Sequence, residues 1–113
     1  MPRENPDLQA ALRRYRLLML EGEYFEAHEV LEEAWHPLRR ADDPRRHLAK
    51  GLINAAIAFE HLRRDLPKSR RVALKAMQAY DRRKAPLPSY TEYHKEFQIC
   101  CETVEELRGE WGL

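Results

Sequence analysis

The chain has 113 residues, with 20 Lys and Arg against 19 Asp and Glu, for a formal net charge of +1. That length implies one domain, and 43% apolar residues suffice to fill its core, which excludes a disordered chain. The balanced charge disfavours a nucleic-acid partner, no apolar run suits a membrane span or a secretory signal, and the adjacent Cys100 and Cys101 cannot build a disulfide framework, so a cytoplasmic protein with no membrane partner is expected.

Asn5 followed by Pro6 is an N-cap with proline at the first helical position, and Gly22 stops the segment that follows. Leu8, Leu12, Tyr15, Leu18 and Met19 share one face at helical spacing, the expected buried stripe of this first helix. A second helix is predicted from near Glu23 to around Pro37, with Tyr24, His28, Leu31, Trp35 and Leu38 as its stripe. Asp43-Pro44 repeats the cap-then-proline signal and opens a third helix over about residues 44–64. Residues 51–59 of that helix read GLINAAIAF, with Asn54 the only polar side chain. A helix apolar on every face is buried on every face, so this one is predicted to be the central rod.

Pro67 opens a fourth helix, predicted to turn Ala73, Leu74, Met77 and Tyr80 inward and to end at Pro86-Leu87-Pro88. Ser89 and Glu92 form a capping box for the fifth. Its seam is Tyr90, Tyr93, Phe97, Cys100, Val104, Leu107 and Trp111, at alternating steps of three and four. No strand-like alternation occurs. The predicted fold class is therefore all-α, a five-helix antiparallel bundle or array forming a single helical domain over residues 1–113.

The segment FEAHEVLEEAW carries the chemistry. Phe25, His28, Glu32 and Trp35 lie on one line of the second helix. Two partner schemes follow. In one, His28 and Glu32 bind a divalent metal, since side chains one turn apart can share an ion and imidazole with carboxylate suits zinc, manganese, iron or nickel. A third ligand is then needed, and His61 on the third helix is the candidate, with Asn54 two turns before it and Glu29 as an outer carboxylate or base. Metal-assisted hydrolysis is the reaction class natural to such a site. In the other, His28, Glu32, Asn54 and His61 form a hydrogen-bond network that fixes helix register beneath Trp35, whose indole N–H seeks an acceptor.

The line His28-x-x-x-Glu32-x-x-Trp35, preceded by Tyr24-Phe25-Glu26-Ala27, resembles the signature of domain-of-unknown-function family 309, small helical proteins of bacteria and archaea also found in plants. GLINAAIAFEHLRRD at residues 51–65 resembles that family's second block, and together the two span about residues 20–80. The resemblance implies a prokaryotic, all-helical protein in which His28, Glu32 and Trp35 hold the motif positions and His61 a secondary one. Metal binding is suggested for that motif, and no reaction is. Two departures stand out: Asn54 occupies a position where the family often has Gln, and Asp65-Leu66-Pro67 stands where a Gly-Asn turn is frequent.

His36 and His47 read as exposed loop-edge residues, His94 as solvated, and Cys100 as an inert core residue. Residues 23–33 carry five Glu and no cation, whereas residues 68–84 carry seven cations against Asp81 alone. The alternative to a metal protein is therefore a non-catalytic interaction module that docks a protein or nucleic acid through the basic fourth helix, with the His/Glu cluster purely structural, while an outward-facing Tyr or Leu strip is what would support a homodimer. The plainer reading of those cations is a solvated face with some pairing to acidic neighbours such as Glu102, Glu105 and Glu106 on the fifth helix.

Overall fold

The computed structural model describes residues 8–84 and 93–113. Five helices run in chain order: α1 (Leu8–Leu20), α2 (Tyr24–Arg40), α3 (Arg45–Arg64), α4 (Ser69–Lys84) and α5 (His94–Trp111). No strand occurs among the described residues, and none of their helices is long and apolar enough to cross a membrane. The all-α expectation holds.

α3 is the hub. It packs most extensively on α4, then on α2, and also meets α5, while α1 bridges α2 and α5. Leu52, Ile53, Ala55, Ala56, Ala58 and Phe59 on α3 are all fully buried, as the apolar run requires. Gly51 is where α4 comes closest: a Cβ there would lie 3.1 Å from Arg83 Cβ and 3.6 Å from Tyr80 Cα. Tyr15 of α1, fully buried, donates its hydroxyl to the Leu52 carbonyl at 2.6 Å. Burial raises the Tyr15 phenol well above its ordinary range, so it stays a donor. Across the α1–α5 joint the Cys100 thiol donates to the Leu12 carbonyl, 3.3 Å away. Desolvation pushes that thiol up to about 12, which makes Cys100 the unreactive core residue expected.

Several local expectations are corrected. Pro37 does not end α2, which continues to Arg40. Proline removes only the bond to the preceding turn; Ala41 N–H still bonds the Pro37 carbonyl at 3.0 Å and buried Leu38 anchors the last turn. The third helix begins at Arg45, yet the Asp43 carboxylate accepts the Arg45 N–H at 2.9 Å, so the capping chemistry read from Asp43-Pro44 is present. α3 ends on Asp65 in the left-handed region at φ 54°, a conformation Asp tolerates where a glycine turn would be ordinary. α5 begins at His94, and Tyr93 before it stands in the left-handed region at φ 65°. The Asn5-Pro6 cap, the Pro86-Leu87-Pro88 stop and the Ser89/Glu92 capping box lie outside the described residues.

Two burial expectations also change. Leu74 points outward, 40% exposed, while Ala73, Met77 and Tyr80 pack inward. His94 is half-buried, and its Nδ1 is enclosed with no hydrogen-bond partner among the described residues.

Candidate functional site

α2 and α3 pack so that Tyr24, Phe25 and His28 face Ile57, Glu60, His61 and Arg64 across a shallow groove of about 170 Å³. Its end is braced by Tyr24, which stacks 5.6 Å from Phe59 and accepts the Trp111 indole N–H at 3.2 Å. A volume below the roughly 300 Å³ of small ordinary ligand pockets leaves no room for a drug-sized substrate.

The structure brings His28 and His61 to this groove but does not assemble the predicted ligand set there. Glu32 lines a separate depression on the outer side of α2 with Glu26, Glu29, Glu33 and His36. Among the described residues, no group of three or more His, Cys, Asp or Glu side chains is placed to hold a metal ion. His28 instead closes on its own helix. Nε2 lies 3.1 Å from Glu32 Oε1, and Nδ1 lies 3.3 Å from the Phe25 carbonyl oxygen. Both oxygens are acceptors, so a neutral imidazole donates to only one of them at a time, and an ion bound at either ring nitrogen has to displace the contact made there.

The pair is not deeply buried, with side-chain exposures of 19% for His28 and 35% for Glu32. The four-residue network is also not formed: among the described residues, no hydrogen bond joins His28 or Glu32 to Asn54 or His61. Trp35 does not cap a polar cluster. Its ring lies within reach of Lys50 Nζ at 4.4 Å and the Arg39 guanidinium at 5.6 Å, with the His36 ring tilted against it 5.1 Å away, so it clips α2 to α3 by cation–π contact. Glu29 is exposed on the acidic side of α2, turned away from the His28 groove.

Glu60, which lies outside the motif read from the sequence, also lines the groove. It is 7% exposed and its carboxylate takes Arg63 Nε at 3.0 Å, Arg63 Nη2 at 2.6 Å and Arg64 Nε at 3.0 Å. The Arg63 hydrogen bonds hold its carboxyl below the usual range, so it remains an anion at the edge of the core. The signal was present: a carboxylate ending an all-round apolar run, with cations three and four residues on.

Charge organises the outer surface. On α5 and the end of α4, Arg108 grips Asp81 at 2.9 and 2.8 Å, and Lys84 and the Tyr80 hydroxyl both reach Glu105, at 3.0 and 3.1 Å. The Arg108 contact draws the Asp81 carboxyl down to about 2. Farther along, Arg70 donates to the Gly112 carbonyl at 2.9 Å. Lys68, Arg71, Lys75 and Arg82 are exposed and make no ion pair among the described residues, so the basic face is a solvated one with some pairing to α5 at its end.

No curated protein and no solved structure matches the chain. One family model does, covering residues 12–72, the stretch from α1 into α4 that contains the whole α2–α3 groove. By that match the chain belongs to the family described as Domain of unknown function (DUF309).

Proposed function

We propose that this protein is a non-catalytic docking domain that holds an acidic protein partner on the outer face of α4. The row of exposed cations Lys68, Arg71, Lys75 and Arg82, unpaired among the described residues while their neighbours Lys84 and Arg108 are paired, carries this reading. Such a row attracts an anionic surface and speeds encounter with it. Leu74 and Val72, 40% and 36% exposed, add apolar contact between the charges, which suits a protein surface better than a phosphate backbone. No aromatic side chain of α4 is exposed among these cations, so a base-stacking platform is lacking there. In this reading the His28–Glu32 pair is a contact internal to α2, and His61 is a groove-lining residue with no metal to hold.

The test is retention of the full chain on immobilised poly-L-glutamate across a salt gradient. Retention that falls at least several-fold in Arg71→Gln/Lys75→Gln supports the assignment, whereas unchanged retention removes α4 from it. Stronger, salt-dependent binding to an RNA homopolymer than to polyglutamate would replace the protein partner with a nucleic acid.

A further inference from the structure

The acidic partner that best fits α4 is present in the chain itself. We propose that the outer face of α2 on a second copy docks against the basic face of α4, so that the protein self-associates head to tail; this rests on the docking role given to α4. Glu26, Glu29 and Glu33 on α2 are spaced by three and four residues, as are Lys68, Arg71 and Lys75 at the start of α4. All six are exposed. Lys68 belongs to this row because its carbonyl takes the Val72 N–H at 3.1 Å, placing it at the first turn. Each row therefore covers about two turns, roughly 10 Å, with opposite charge at the same pitch.

Within one chain the rows do not meet. α2 and α4 pack on α3 and share no extensive interface, and no ion pair joins them among the described residues. Glu29 and Glu33, like the three cations, have no ion-pair partner among the described residues. Exposed apolar side chains flank both rows, Phe25 at 49% on α2 and Leu74 at 40% on α4. The net charge of +1 sets up no overall repulsion between copies. An antiparallel approach sets Lys68 against Glu33 and Lys75 against Glu26. It carries Arg82 toward Glu21 and Glu23, whereas a parallel one brings it toward Arg40. Since the two faces differ, the contact is heterologous, and an open chain of copies leaves one acidic face free at one end and one basic face free at the other.

Sedimentation velocity on the full chain tests this without any variant. At about 20 mM salt the weight-average sedimentation coefficient should rise with protein concentration, and at about 0.5 M it should return to the monomer value, because exposed pairs are screened. Two surface variants then map the faces: Glu26→Gln/Glu29→Gln/Glu33→Gln and Lys68→Gln/Arg71→Gln/Lys75→Gln. Each alone should stay monomeric, and a mixture of the two should stop at a 1:1 complex, since only one contact survives. A wild-type chain that is monomeric at low salt and millimolar concentration overturns the proposal, as does association that both variants retain. If the wild type is monomeric yet its polyglutamate binding is lost in the α4 variant, self-association falls while the docking role of α4 stands; if that binding is also unaffected, both fall.

Discussion

Replacing His28 and Glu32 singly and together separates a contact internal to α2 from a network that fixes the packing of α2 on α3. The pair is 3.1 Å apart with side chains 19% and 35% exposed. A hydrogen bond between a ring nitrogen and a carboxylate this exposed keeps little net energy, because desolvation and side-chain ordering offset most of it. Helix pairs one turn apart retain about 0.3–0.5 kcal/mol, so a coupling near 0.3 kcal/mol is expected. A buried network would leave orphaned polar groups on truncation and raise the coupling above about 1 kcal/mol. The assay is a double-mutant cycle from urea unfolding of the wild type, His28→Ala, Glu32→Ala and the double variant at a shared m-value. A coupling above about 1 kcal/mol, or non-additivity between His28→Ala and Asn54→Ala, would refute the reasoning.

Zinc, manganese, iron(II) or nickel added to the wild type should raise its melting temperature by less than about 2 °C at millimolar metal, because among the described residues no three donors converge; a rise of several degrees that His28→Ala abolishes would restore the three-ligand reading. Asp81 is lowered in the folded state from 3.8 to about 2, so its contribution is complete above about pH 4 and fades as pH falls toward 2. Discounted for its 36% exposure, that contribution is about 1 kcal/mol, and urea unfolding should show Asp81→Asn less stable than wild type by this amount at pH 6 and nearly equal to it at pH 2. At Gly51, alanine gains about 1 kcal/mol of helix propensity against its tight contact with Arg83 and should be nearly neutral, while Gly51→Leu should cost about 1–3 kcal/mol by forcing α4 off α3. Equal stability of the leucine variant would mean that the close approach of the two helices is not required.

The fold was legible where the sequence pattern is dense. The run from Gly51 to Phe59 announced the central helix, and the stripe Leu8, Leu12, Tyr15, Leu18, Met19 is buried as its spacing demands. Boundaries were less so, because Pro37 is tolerated in a last turn that Leu38 anchors, and because Tyr93 adopts a left-handed conformation that periodicity cannot register. At the site, spacing showed correctly that His28 and Glu32 share a side of α2 but not whether they would turn to each other or to α3. That choice depends on the interhelical approach, which seats Ile57, Glu60 and His61 opposite Tyr24 and His28 while Glu32 faces outward. Which cations of α4 would pair was not legible, since the carboxylates of α5 that come within reach are a matter of tertiary register; among the described residues Lys84 finds Glu105 while Lys68, Arg71 and Lys75 find none.

The most direct measurement is a backbone amide shift map of the uniformly labelled chain titrated with poly-L-glutamate. The account predicts salt-sensitive perturbations concentrated on residues 68–82, strongest near Lys68, Arg71 and Lys75. Perturbations centred instead on the groove of His28, Glu60 and His61, or none above those produced by salt alone, would contradict it.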